Sequence, residues 1–158
     1  MSHFSLKKII KATFYKRYLN QKGSFKYFGE LVFFPKNSTT FNLAIKDGIY
    51  EFDILKFIIN SIKEDSVYID IGANIGLMTI PVLKKMPAVK VLSFEASPNT
   101  FSYLKRTWES STVRDRWTIY NNAVSDNNAE IDFFTATGAE GAYESMQDTK
   151  RVSFSGKI

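Results

Sequence analysis

Val67-Tyr-Ile-Asp-Ile-Gly-Ala-Asn-Ile-Gly-Leu77 (VYIDIGANIGL) is the stretch that decides the fold. A short β-branched and aromatic run carries an acid near its end, then gives way to small residues and two glycines. An apolar pattern follows. A strand delivering a turn to a ligand, with a helix behind it, has this form. Gly72 and Gly76 allow the turn dihedrals and a close approach of the backbone to a ligand. Asn74 is expected to cap the helix that follows.

Outward from this stretch, the same alternation of strand and helix continues. Tyr50–Ile62 places apolar residues at spacings of three and four, which predicts a helix with one buried face. Ser66–Ile71 is the first strand of the alternation. Ile75–Met86 is expected to be its helix, bent at Pro81. Lys90–Glu95 is the next strand, and Pro98–Trp108 the next helix. That helix has Ser97 as N-cap, Pro98 at its first position, and Phe101, Leu104 and Trp108 facing inward. Trp117–Tyr120 and Glu130–Phe134 are further strands. Strands alternating with helices over short links predict an α/β sheet with parallel strands and right-handed crossovers. Ligands of such sheets lie beyond the carboxyl ends of the strands. Asp70 with Gly72, then Glu95, then Asn122 and Ala123 all fall at that edge.

The residue types there discriminate between cofactors. A carboxylate such as Glu95 at the end of the second strand can accept hydrogen bonds from ribose hydroxyls. Asp70 would repel a pyrophosphate and attract an ammonium group. S-adenosylmethionine carries a ribose, an ammonium and a sulfonium, and no phosphate, so it suits these acids better than NAD does. The missing third glycine of G-x-G-x-x-G also argues against a nicotinamide-dependent oxidoreductase.

Three blocks, YIDIGANIGLMTI, VLSFEASPNTFSYLKR and IYNNAVSDNNAEIDFF, together resemble the successive motifs of the FkbM-like S-adenosylmethionine-dependent methyltransferases. The matching region runs from about Tyr50 to Phe134. The resemblance implies a Rossmann-like class I methyltransferase sheet. It implies that Asp70, Gly72, Asn74 and Gly76 hold the methionine end of the cofactor, Glu95 the ribose, and Asn122 and Ala123 the adenine side. It also implies O-methylation of a sugar, glycolipid or polyketide hydroxyl. Ala96-Ser97 replaces the commoner Pro-Asn, and nothing after Phe134 matches the acidic motif with which the family continues. The sheet is therefore expected to be incomplete at its C-terminus, with a second chain completing it or the chain acting as a noncatalytic partner subunit. No constellation of residues identifies a catalytic base.

Composition sets the remaining bounds. The 158 residues suit one domain, and 44% hydrophobic and 23% charged residues are ordinary for a globular protein. There is no cysteine, which excludes disulfides and thiolate metal sites and fits a cytoplasmic protein. His3 stands alone, so no metal site is expected. Residues 1–29 hold seven lysines and arginines and no acid, interleaved with Phe4, Leu6, Ile9, Ile10 and Phe14. A peripheral helix with its lysines in water is the plainer reading. Contact with an anionic membrane is the alternative, and a nucleic-acid partner is not expected. Phe25–Phe34 and Thr40–Ile45 look like two strands joined through Pro35–Ser38. The expected organisation is thus a basic helix and β-hairpin over 1–49, the cofactor-binding core over 50–134, and an irregular tail over 135–158.

Overall fold

The structure is a computed structural model that describes residues 23–35 and 48–126, and the strands 132–135 and 154–157. The basic segment 1–22, with His3, and the strand expected over Thr40–Ile45 lie outside the described residues.

The centre is a parallel sheet of three strands: β3 (Val67–Ile71), β4 (Lys90–Phe94) and β5 (Trp117–Tyr120), in that order. Asp70 pairs with Ser93, and Ser93 with Ile119, so the register is continuous across the sheet. Helices α2 (Thr79–Lys85) and α3 (Pro98–Ser110) form the crossovers, and α1 (Phe52–Ser61) precedes β3. This is the βαβαβ unit of a Rossmann-like α/β fold.

The two faces of the sheet differ. Val91, Ser93 and Trp117 on the face shared with Tyr68 and Asp70 are buried under the helices, together with Leu83 and Leu104. The other face carries Val67, Ile69 and Ile71, all more than half exposed, and Tyr120 stacked on Phe94 with ring centroids 4.8 Å apart. Among the described residues nothing covers it.

Phe25–Phe34 is not one strand. It is a hairpin of β1 (Ser24–Tyr27) and β2 (Glu30–Phe33), with Ser24 opposite Phe33 and Tyr27 opposite Glu30. Phe28 and Gly29 both take positive φ, 49° and 86°, as a two-residue turn between right-twisted strands requires. The Phe28 ring packs on Tyr27, with centroids 4.9 Å apart, in a conformation that few aromatic residues adopt.

The hairpin lies over α3. The Phe33 N–H donates to Thr107 Oγ1 at 3.0 Å, and the Arg106 guanidinium sits 4.3 Å from the Phe33 ring. Glu30, 2% exposed, receives Lys84 Nζ of α2 at 2.8 Å, and both the N–H and the hydroxyl of Thr112. Those three donors hold its carboxyl at about 2 despite the upward pull of burial.

Two helix expectations change. α2 starts at Thr79, not Ile75, so Pro81 falls in its first turn, where N–H groups have no intrahelical acceptor to lose. The expected bend therefore has no cause there. In α3, Ser97 caps as expected, its Oγ accepting from Thr100 N at 3.1 Å. Leu104 is fully buried, but Thr100 and Thr107 share the inner face, and Phe101 and Trp108 are only half-buried. Trp108 Nε1 donates to the Trp117 carbonyl at 2.6 Å.

At the C-terminal end, β6 (Asp132–Thr135) overlaps the expected strand. It pairs antiparallel with β7 (Phe154–Lys157), a strand in the region expected to be irregular.

Candidate functional site

The carboxyl edge of the parallel sheet is held together by backbone hydrogen bonds between its loops. Gly72 N and Ala73 N both donate to the Phe94 carbonyl, at 2.9 and 3.0 Å, and Glu95 N donates to Tyr120 O at 3.0 Å. The loops after β3, β4 and β5 thus form one rim.

Beside this rim is a cleft of about 280 Å³ between α1 and the β3 loop. Tyr68, Asp70, Gly72 and Asn74 form the loop wall, while Tyr50, Glu51 and Ile54 form the other. Gly72 has φ +79, and a Cβ built there would meet no atom within 4 Å. Its backbone is therefore open to a ligand, in a conformation that disfavours side chains.

Asp70 is 7% exposed at this cleft. Its Oδ2 accepts from the Thr79 hydroxyl at 2.5 Å; Thr79 Oγ1 lies 2.9 Å from Ser93 Oγ, which in turn accepts from Trp117 Nε1 at 2.9 Å. Oδ1 has no hydrogen-bond donor among the described residues. Burial pushes the Asp70 carboxyl up from its ordinary value, against the pull of the Thr79 hydroxyl. Tyr68 is pushed up to about 12 by its own burial and then by the charge of Asp70. A buried carboxylate with one oxygen unserved favours a cation beside it. Among the described residues the cleft lining includes Asp70 and Glu51 and no lysine or arginine. That electrostatic character suits an ammonium or sulfonium group and disfavours a phosphate.

Several expected site residues have different jobs. Asn74 does not cap α2; it takes φ +52, and its N–H donates to Glu95 Oε2 at 2.8 Å. Gly76, with φ +92, is required by packing, since a Cβ there would come within 2.8 Å of the Trp117 ring. Glu95 does not line the cleft. It is 8% exposed, and its other oxygen accepts from Ser97 N at 2.9 Å, so the carboxylate clamps the β3 loop to the start of α3. Asn122 is exposed and Ala123 half-buried, both on the chain after β5 and outside the cleft lining. Asp70, Gly72 and Asn74 are therefore brought together in the cleft wall, with Glu95 bonded to Asn74 behind it, while Gly76, Asn122 and Ala123 lie outside the lining.

Sequence reasoning gave no role to Asn121, whose Nδ2 donates to the carbonyls of Glu95 and Ala96 at 2.8 and 3.2 Å and fixes the rim. It also missed Tyr50, Glu51 and Tyr68. The position of Tyr68 two residues before Asp70, on the same face of the strand, was the available signal.

No family model matches the chain. It is similar to "Methyltransferase 1" of Beauveria bassiana, 40% identical over 50 residues, 32% of this chain and 20% of that one. It is also similar to "2-O-methyltransferase NoeI" of Sinorhizobium fredii, 33% identical over 82 residues, 52% of this chain and 32% of that one. The chain thus spans a third or less of the curated relatives it matches. Among solved structures, P. horikoshii TYW2 in complex with MeSAdo is 27% identical, with a TM-score of 0.39 over 48% of this chain and 28% of that one. Among the described residues, no helix is long and apolar enough to cross a membrane.

Proposed function

We propose that this chain is the cofactor-binding part of an FkbM-like, class I S-adenosylmethionine-dependent methyltransferase that methylates a hydroxyl of a sugar, glycolipid or polyketide acceptor. The observation that carries the cofactor reading is Asp70, a buried carboxylate that, among the described residues, has one oxygen unserved and shares its cleft with Glu51 and no base. The local similarity to a 2-O-methyltransferase supports hydroxyl methylation.

Bound S-adenosylmethionine would supply an activated methyl group. Asp70 would hold its ammonium end, and the open backbone of Gly72 would admit that end closely. Glu95 already accepts two backbone N–H groups. Its place at the rim, bonded to the Asn74 N–H of the β3 loop, is where a ribose would meet it. The chain's own contribution is orientation and electrostatics. A second chain, or further polypeptide, over the bare sheet face belongs to the same reading, because parallel sheets are ordinarily buried on both faces.

The test is calorimetric titration of the folded chain with S-adenosylhomocysteine, with NADH as comparator. Saturable binding of S-adenosylhomocysteine alone supports the reading. Binding of NADH instead would favour an oxidoreductase, and no binding by a folded chain would favour a noncatalytic subunit.

A further inference from the structure

The cleft has a second wall that no motif marks. Tyr50 and Glu51 stand immediately before α1, and both line the cleft. Glu51 takes φ 45 and ψ 56, the left-handed region, and its side chain makes no cap hydrogen bond to α1. A glutamate at a helix entry would ordinarily serve the free N–H groups of the first turn. This one does not; it lines the cleft, and its charge, after burial, helps push the Tyr50 phenol up from its ordinary value.

The turn is held by the N-terminal hairpin. Tyr50 N donates to the phenol oxygen of Tyr27 at 3.1 Å, and Tyr27, 4% exposed, is the last residue of β1. Tyr27 packs in turn on Phe25 and Phe28. The N-terminal hairpin, latched to α2 and α3, therefore fixes where the Tyr50–Glu51 turn stands relative to the β3 loop. The result is a cleft with one carboxylate on each wall, Asp70 on the loop side and Glu51 on the helix side, and aromatic rings of Tyr50 and Tyr68 beside them.

We propose that Glu51 is a specificity-determining residue of this site, its carboxylate attracting the ammonium end of the ligand from the α1 wall while Asp70 does so from the β3 wall, with Tyr27 as its positioning residue through Tyr50. The proposal rests on the cofactor reading above. It adds a selectivity: the cleft discriminates by the ligand's cationic amino-acid end and not by adenosine alone.

The test titrates S-adenosylmethionine, S-adenosylhomocysteine and 5′-methylthioadenosine, which lacks the amino-acid end, into the unaltered chain and into Glu51→Gln, Glu51→Asp and Tyr27→Phe. Circular dichroism establishes that each is folded. Glu51→Gln weakens the two amino-acid-bearing ligands roughly tenfold and leaves 5′-methylthioadenosine unchanged, as loss of a charge-assisted contact predicts. Glu51→Asp, which keeps the charge, retains most of the preference, and Tyr27→Phe loses part of it in the same pattern. Equal affinities of the unaltered chain and Glu51→Gln for S-adenosylmethionine would overturn the role of Glu51 and leave the cofactor reading standing. So would a loss shared equally by all three ligands, which marks a structural effect. Failure of the folded, unaltered chain to bind any of the three would overturn both.

Discussion

Two buried carboxylates each bond to a side chain of α2, and they differ in how fully they are served. Glu30, from the hairpin, receives Lys84 and both donors of Thr112. Asp70, from β3, receives the Thr79 hydroxyl on one oxygen and no donor among the described residues on the other. Both are less than a tenth exposed. Their titration moves in opposite directions: Glu30 is held at about 2, whereas Asp70 is raised by burial. A satisfied buried acid fastens elements together. A half-satisfied one costs stability and is kept where it has a ligand to meet.

Removing each acid is the strongest way to break the comparison. Glu30→Ala leaves Lys84 and Thr112 without their acceptor and separates the hairpin from α2. We expect a loss of about 2–3 kcal/mol, read by urea denaturation. Asp70→Asn should leave stability at neutral pH unchanged or slightly higher, while binding of S-adenosylhomocysteine falls at least about tenfold, or roughly 1.4 kcal/mol. A destabilisation by Asp70→Asn as large as that by Glu30→Ala would erase the distinction between them.

The pH dependence sharpens it. Glu30 has its folded value depressed from an ordinary 4.5, so its stabilisation is present above that value and is lost as pH falls toward about 2. Asp70 has its folded value raised above 3.8, so any stability linked to its protonated form is full below the unfolded value and is lost as pH rises through the folded one. Ligand affinity runs the other way at Asp70 and strengthens as the carboxyl ionises. Acid denaturation of the unaltered chain, compared with Glu30→Gln and Asp70→Asn, separates the two contributions.

The smallest expected effect on stability lies on the bare face. Ile69 is 54% exposed there, so Ile69→Lys should change folding free energy by no more than about 0.5 kcal/mol. It should nonetheless reduce self-association measured by light scattering, because it breaks an exposed apolar strip. A large loss of stability would mean that this face is already covered.

Much of the central fold was legible because local pattern and tertiary environment agree there. α1, β3, β4, α3 and β5 fall within a few residues of where periodicity and the Ser97-Pro98 cap signal place them. The discrepancies have tertiary causes. A type I′ turn at Phe28-Gly29 is hidden inside an unbroken apolar run, because the usual Asn or Asp is replaced by an aromatic that packs on Tyr27. The pairing of β6 with β7 joins segments far apart in the chain, which no local period reports. Within the site, the acid at the end of β3 was recognisable from position and charge alone. At Gly76 the packing constraint is the Trp117 ring, 41 residues on in the chain and invisible in the motif. Glu95 and Asn121 serve backbone groups of neighbouring loops, an assignment that only the folded rim reveals.

The most direct test of the central claim is an amide chemical-shift map of the 15N-labelled chain during titration with S-adenosylhomocysteine. The account predicts saturable shifts at Gly72, Ala73 and Asn74 on one wall and at Tyr50 and Glu51 on the other, while Leu92 and Thr118 on the bare face stay still. Shifts confined to the bare face, or none in a folded chain, would contradict it.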